Sequence, residues 1–309
     1  METVSIVIPT LNRQKCLQRA LASVRAQTGL EETSIEIIVV DNSRDESARA
    51  TVEACGAEGW PIAYFSEPSP GVATARNAGV RQAQGRWIAF LDDDEEARPD
   101  WIAEMLRIAR KTRAEAVFGP VEARADEAGE IGGFGAYFSR AIERPDGDDI
   151  TDLSAYLGTN NSMFDRALCL SDGAPFEESL NEIGGEDSLL LERLTMKGFR
   201  FAWATHAGVV EWVPPRRLDW AYVCKRKFLS GQIRVFVQQM AEPGRAPKIA
   251  LWMVVGLVQF LCAGALAVLF RPFDRSRAQR ASATAYGGLG KVLWTPRFRP
   301  TLYGAGLIS

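Results

Sequence analysis

Three consecutive aspartates, Asp92-Asp93-Asp94, follow the apolar run Trp87 to Leu91 and open a run of five acids that ends at Glu96. Carboxylates this close repel one another unless a cation or hydrogen-bond donors sit among them. Their oxygens suit hard cations such as Mg²⁺ or Mn²⁺, and Mg²⁺ is often held by one or two carboxylates together with substrate phosphates. A calcium EF-hand does not fit, because the sixth position counted from Asp92 is Ala97 rather than Gly. A solvated acidic start to the helix at Pro99-Asp100-Trp101 is the plainer reading, and the position at a strand end favours the cation. A second acidic pair, Glu186-Asp187, follows Gly184-Gly185. On the residues alone it is either a positioned carboxylate that takes a proton from a hydroxyl, or a pair of first-turn acids favouring the dipole of a helix over Ser188 to Lys197. A third segment, Pro70 to Val80, has Gly71 leading into a helix that carries Arg76 and Asn77. An Arg one or two turns inside a helix start can meet a phosphate or a sugar. Neither GxGxxG nor GxxxxGK[ST] occurs, which removes the usual dinucleotide and P-loop fingerprints. The single histidine, His206, excludes a multi-His metal centre and is expected to pack or to support a site residue rather than ligate.

These residues need a frame, and the chain before residue 214 supplies one by alternating strand and helix patterns. Val4 to Ile8 is a β-branched run ended by Pro9, and Ile35 to Val40 is another, bounded by Asp41-Asn42-Ser43. Ile62 to Phe65 and Trp87 to Leu91 complete the strands. Between them, helices are predicted over Ala48 to Cys55 and Ala73 to Ala83. A further one, with Asn12 as its cap, buries Leu17, Ala20, Leu21 and Val24. Strands alternating with helices favour a parallel sheet covered on both faces, with ligands at the carboxyl ends of the strands. The polar clusters Thr10-Leu11-Asn12, Asp41-Asn42-Ser43 and Asp92-Asp93-Asp94 all fall at such ends.

The 309 residues carry a net charge of −3, which conceals an asymmetry. Residues 1–213 hold 21 basic and 36 acidic side chains, whereas Pro214 to Arg280 hold 12 and 3. An acidic globular part is thus followed by a basic part suited to an anionic surface. Five scattered cysteines show no CxxC pair or zinc spacing, so a disulfide framework is not expected and a reducing compartment is. Residues 1–12 enter a strand without the pattern of a signal peptide, so the amino-terminal part is expected to stay in the cytoplasm. Ile249 to Phe270 is 22 residues without a charge, about 33 Å as a helix against a hydrocarbon core of about 30 Å. Basic clusters flank it on both sides, so the positive-inside rule gives no orientation. A simple span, a helical hairpin, an embedded helix and a buried core helix all remain open.

The ordered segments VSIVIPTLNR, IEIIVVDNS, PGVATARNAGVRQAQGRWIAFLDDD, GTNNSMF and GGEDSLLLERLTMKGFRFAW together resemble a family-2 glycosyltransferase of the GT-A fold. The basic PPRRLDW and the apolar helix are similar to members that serve succinoglycan and other exopolysaccharide synthesis. The resemblance implies an α/β GT-A catalytic domain with a mainly parallel sheet over residues 1–215. A basic helical membrane-proximal segment (216–248), a transmembrane or membrane-embedded helix (249–270) and a basic tail (271–309) follow. It implies that Pro9, Thr10 and Asn12 border the nucleotide, that Asp41 accepts the uracil N–H, and that Arg76 faces the diphosphate or donor sugar. Asp92, Asp93 and Asp94 form the DxD region, with Asp92 and Asp94 holding the ribose and a divalent Mg²⁺ or Mn²⁺. In Glu186-Asp187, Asp187 is the implied general base of an inverting displacement. The donor is a nucleotide-sugar, expected to be UDP-linked, and the acceptor an oligosaccharide or lipid-linked sugar. The place is the inner membrane, with the catalytic domain cytoplasmic and no nucleic acid involved. The QxxRW motif of processive synthases is absent, and Arg216-Arg217-Leu218-Asp219-Trp220 only echoes it, which points to addition of one sugar. Two other readings stay open: a metal-dependent nucleotidyltransferase, which gives Glu186-Asp187 no role, and a catalytically silent nucleotide-sugar-binding scaffold.

Overall fold

The computed structural model describes residues 1–56, 59–126, 129–242 and 244–300. In chain order the main elements are β1 (Glu2–Thr10), α1 (Gln14–Arg25), β2 (Thr33–Asp41), α2 (Arg49–Ala54), β3 (Ile62–Ser66), α3 (Val72–Gln82) and β4 (Trp87–Phe90). Next come β5 (Glu95–Ala97), α4 (Trp101–Thr112), β6 (Ala116–Phe118), β7 (Val121–Ala125), α5 (Gly135–Phe138), β8 (Ser162–Asp165) and α6 (Arg166–Cys169). The chain continues through α7 (Glu186–Met196), β9 (Phe201–Trp203) and β10 (Val209–Val213) to three helices, α8 (Trp220–Ala241), α9 (Ala246–Phe270) and α10 (Arg275–Val292).

The main sheet has the order β3-β2-β1-β4-β8-β6-β9, and a small sheet has the order β5-β10-β7. Strands β3, β2, β1 and β4 pair in parallel, as do β6 and β9. The expected mainly parallel sheet is found with one reversed strand: four of its six pairings are parallel, and β8 runs antiparallel to both β4 and β6. A parallel neighbour needs a long helical crossover; among the described residues between β7 and β8 the helical pieces are short, at 132–138 and 151–156.

Strands β1 and β2 are buried almost continuously, and their alternating faces feed two cores. Val4, Ile6, Ile8, Ile35, Ile37 and Val39 pack with α1 and α4 on one face, while Val7, Ile38 and Val40 pack with α3 and α7 on the other. The helix after β1 buries the four residues expected of it, Leu17, Ala20, Leu21 and Val24. Its cap does not match the expectation. Asn12 takes the left-handed conformation at φ 56°, Arg13 holds the cap position, and neither caps through its side chain.

Candidate functional site

Register places the chemistry. Thr10 lies beside Asp41 at the ends of β1 and β2, and β4 pairs with the other edge of β1 and delivers Asp92 to Asp94 at the same end. Asp93 is buried and accepts from Thr10 Oγ1 at 2.7 Å and from Arg13 Nη1 at 3.0 Å. The same Arg13 nitrogen reaches Asp94 Oδ2 at 2.8 Å, and Arg217 stands 3.6 Å from that oxygen. Burial, aided by the Asp94 charge and opposed by Arg13, lifts Asp93 to about 6. Burial alone would lower the Arg13 pKa, but the Asp93 and Asp94 charges outweigh it and raise it.

Asp92 faces a different set of partners. Arg76, 5% exposed, donates to Asp92 Oδ1 at 3.2 Å and to Glu186 Oε1 at 2.8 Å. It therefore braces a strand end to the start of α7, where the expectation had it facing a diphosphate or sugar. Its neighbour Asn77 ties α3 to the segment before α7, exchanging hydrogen bonds with the Phe176 backbone and donating to Glu178. Glu186 is buried, and burial together with the Asp187 charge pushes it up to about 7. Asp187 is half-buried; its Oδ1 accepts the Ser188 N–H at 2.6 Å, and its Oδ2 lies against Gly158. Of the acidic pair, then, Glu186 is tied into an ion pair, and Asp187 keeps an oxygen with no donor in hydrogen-bond range among the described residues.

A buried acid that the sequence reading left unassigned, Glu95, accepts from the Asp92 backbone at 3.0 Å and from Asn160 Nδ2 at 2.8 Å. Burial, then the Asp92 and Glu211 charges, holds its pKa well above the ordinary value. Glu211 on β10 stands 3.8 Å from Arg217 and is raised to about 7 by burial and by Asp94. Arg140 gathers the carbonyls of Gly119, Gly158, Asn160 and Asn161, so it fixes the GTNN turn against which Asp187 rests. These partners come from strands and turns far apart in sequence. The one local signal was the basic pair Arg216-Arg217, read there as an echo of a processive motif.

Asp41, expected at the nucleotide base, is buried at the end of β2: Oδ1 accepts the Ser43 N–H at 2.9 Å, and Oδ2 accepts the Ala48 N–H at 2.7 Å and the Tyr64 hydroxyl at 2.9 Å. These bonds shape the loop after β2. Asn42 ties that loop to Glu67, Ser69 and Gly71. Gly71, at φ +137°, has no room for a Cβ because Asn181 occupies the space and accepts from Ala73 N at 2.9 Å. Asn181 thus caps α3, which has no side-chain cap of its own. His206 is exposed in the turn between β9 and β10, so the packing role expected of it is corrected.

Pro9 and Thr10 are buried at the end of β1, while Asn12 lines an open cleft of about 490 Å³. Arg13, Lys15, Asp94, Trp212 and Arg216 share that cleft, so its floor mixes guanidinium and carboxylate groups. Among the described residues no three His, Cys, Asp or Glu side chains converge as a ready cation site. The expected Asp92–Asp94 pair is not preassembled: Asp92 is turned to Arg76, and Asp94 to Arg13 and Arg217. Two hard oxygen donors at one strand end nevertheless suit Mg²⁺ or Mn²⁺ when substrate phosphates complete the shell.

The chain matches the family model Glycosyl transferase family 2 over residues 5–168. It is 31% identical over 296 residues to the succinoglycan biosynthesis protein ExoM of Rhizobium meliloti, spanning 93% of this chain and 91% of that one. It is also 29% identical over 150 residues, 47% of each chain, to the GalNAc(5)-diNAcBac-PP-undecaprenol beta-1,3-glucosyltransferase of Campylobacter jejuni. Among solved structures, the mannosyltransferase PcManGT of Pyrobaculum calidifontis with GDP-Man and Mn²⁺ superposes with a TM-score of 0.61 at 18% identity, covering 94% of this chain and 87% of that one. TarS 1-349 of S. aureus in complex with UDP-GlcNAc gives 0.57 at 15% identity, covering 94% and 90%. These two likenesses speak for the GT-A-like α/β fold, and the family match together with the ExoM relation establishes that the chain is a glycosyltransferase belonging to family 2.

Proposed function

We propose that the protein transfers one sugar, with inversion, from a UDP-sugar to a hydroxyl of a lipid-linked or oligosaccharide acceptor in bacterial exopolysaccharide synthesis. The observation that carries this is the division of labour at the start of α7. Glu186 is committed to Arg76, and Asp187 keeps Oδ2 for a proton. A hydroxyl is a poor nucleophile, and a positioned carboxylate speeds its attack by about 10²–10⁴. Asp187 takes the acceptor proton as the oxygen attacks the anomeric carbon, and a single displacement makes an α-linked donor give a β-linkage. Pro9, Thr10, Asn12 and the loop shaped by Asp41 border the nucleotide. Arg76 acts from below by bridging Asp92 and Glu186. Arg13, Lys15 and Arg217 hold positive charge beside the donor diphosphate. Asp94, with Asp92, would hold a divalent ion, whose chemistry is Lewis-acid stabilisation of the departing nucleoside diphosphate. To hold that ion, Asp94 would have to be free of Arg13 and Arg217, whose charge would then be available to the diphosphate.

The names of the relatives support this reading: ExoM is a succinoglycan biosynthesis protein, and the Campylobacter enzyme is named for an undecaprenol-linked substrate. PcManGT was solved with Mn²⁺. An acceptor of that kind and the apolar helix α9 support a site at the inner membrane, and a catalytic part in the cytoplasm fits where nucleotide-sugars are made. The test is a panel of UDP-sugars with the purified protein and Mn²⁺, scored by UDP release. Release from one UDP-sugar supports the proposal. Release of pyrophosphate from a nucleoside triphosphate and a sugar phosphate would instead favour a nucleotidyltransferase, and binding without turnover a scaffold.

A further inference from the structure

Helix α9 is 25 residues long and apolar enough to cross a membrane by length and composition. Its neighbours decide whether it does. Ile249, Gly256 and Ala263 are its buried positions, one every seven residues, and that stripe faces α10. The two helices run antiparallel in close backbone contact: a Cβ on Gly288 would stand 2.6 Å from the Gly256 carbonyl, and one on Gly256 would stand 2.7 Å from the Gly288 carbonyl. Gln259 bridges the pair, donating to the Thr284 carbonyl at 2.8 Å and accepting from Lys291. On its other face α10 packs as tightly on α8, with Gly231 against the Gly287 carbonyl and Gly290 against the Phe228 carbonyl. Helix α8 is in turn part of the catalytic body. Val223 shares a core with Ala123 and Val213 of the small sheet, and Phe236 and Val237 share one with Leu189 of α7. The start of α9 is pinned as well, by Lys248 and Arg245 at 3.0 and 2.6 Å from Glu192.

If α9 stood across a bilayer, its middle would carry α10, α8 and the small sheet to the same depth. Lys227, Lys291 and Arg280 would enter hydrocarbon together with open sheet edges, which is excluded for lipid-facing backbone and costly for charge. The opposite face of α9 has the reverse character. Leu251, Val254, Leu257, Val258, Leu261, Leu266 and Leu269 are exposed with no polar side chain among them. Phe273, just beyond the helix, is 83% exposed. Arg271, Arg275, Arg277 and Arg280 lie exposed at that end, and Asp274 is the sole acid from residue 243 to the end of the sequence. A second copy seated on this face would bring these basic ends together with almost no acid to meet them. Anionic headgroups meet them directly.

We propose that α9 lies in one leaflet of an anionic bilayer without crossing it, its apolar face inserted, so that α10 and the chain after it return on the side of the catalytic sheet. This deepens the membrane reading above and rests on it. Because Lys248 pairs with Glu192 of α7, whose first turn carries Asp187, the bilayer plane then runs beside the site that receives a lipid-linked acceptor.

Two readouts on the full-length chain separate the outcomes. Purified protein is floated with vesicles of phosphatidylglycerol and phosphatidylethanolamine in equal amounts. In parallel, intact bacterial spheroplasts expressing Ser276→Cys or Thr295→Cys in a Cys262→Ser background are treated with a membrane-impermeant maleimide. The proposal requires flotation, no labelling of either cysteine until the cells are lysed, and loss of flotation by at least tenfold in Leu257→Glu/Leu261→Glu with UDP affinity unchanged. Flotation combined with labelling of intact spheroplasts leaves the membrane reading standing and overturns the in-plane helix. Absence of flotation overturns the membrane reading itself, and a concentration-dependent dimer that disperses in Leu257→Glu/Leu261→Glu would then assign the face to a second copy. In phosphatidylglycerol vesicles the wild-type Cys262 thiol is shielded from a polar maleimide; equal labelling with and without vesicles also contradicts insertion.

Discussion

Replacing Asp187 by Asn changes one oxygen to an amide and keeps the other as a carbonyl acceptor. The Ser188 N–H, 2.6 Å from Oδ1, therefore retains its partner, and the first turn of α7 keeps its geometry. The structural loss is one negative charge at a helix start, worth about 0.3–1 kcal/mol. Part of it is offset, because the Asp187 charge is one of the influences that raise Glu186, and its removal favours the charged form that pairs with Arg76. The catalytic loss is of another size. A general base contributing about 10²–10⁴ is worth about 2.7–5.5 kcal/mol at about 1.36 kcal/mol per tenfold. Transfer of labelled sugar under saturating donor should thus fall by at least a hundredfold, while calorimetry finds UDP-sugar affinity within about twofold of wild type, since the base acts in the transition state. A variant that keeps more than a tenth of the wild-type rate would refute the assignment. So would a variant whose rate loss is matched by an equal loss of donor affinity.

Asp94→Ala removes one of the two carboxylates proposed for the cation, and UDP binding should lose its dependence on Mn²⁺; a variant whose calorimetric affinity still rises on adding Mn²⁺ as much as that of the wild type would contradict the assignment. Glu186 is raised in the folded state to about 7, so its proton is held by the fold and its share of stability is present at low pH and lost as pH rises from about 4.5 through 7. The melting temperature of Glu186→Gln relative to wild type should therefore climb between pH 5 and 8, and a flat or falling difference would show that Glu186 is already charged. Gly71→Ala drives a Cβ into Asn181 at a backbone angle that disfavours side chains, so it should cost about 2–4 kcal/mol in urea unfolding through strain and the lost cap of α3. A cost below about 0.5 kcal/mol would mean that the Asn181 cap is dispensable.

Strand positions were legible because β-branched runs ended by Pro9, Asp41 and the aspartates need no tertiary information to be recognised. The polar strand ends were legible for the same reason, which is why Thr10, Asp41 and Asp92 to Asp94 were chosen and do meet at one end of the sheet. What those side chains touch was not legible. Arg13 finds Asp93 from 80 residues away, Arg76 finds Glu186 from 110, and Asn181 caps a helix 108 residues before it. No local pattern encodes such pairs. The result is that the scaffold partners of Arg76 and Asp41 could be found only in the folded chain. The reversal of β8 was hidden because a run of four buried residues carries no direction. Helix α9 was plain as an apolar stretch, yet its placement depends on the glycines of α10, whose sequence reads as polar and basic.

The central claim is a single displacement assisted by Asp187, and the anomeric configuration of the sugar in the product tests it most directly. With an α-linked UDP-sugar, the purified full-length protein, Mn²⁺ and a lipid-linked acceptor, proton NMR of the isolated glycoside should show a β-linkage. Asp187→Asn should form too little of it to measure in the same time. An α-linked product, or a β-linked product formed at an undiminished rate by Asp187→Asn, would contradict the account.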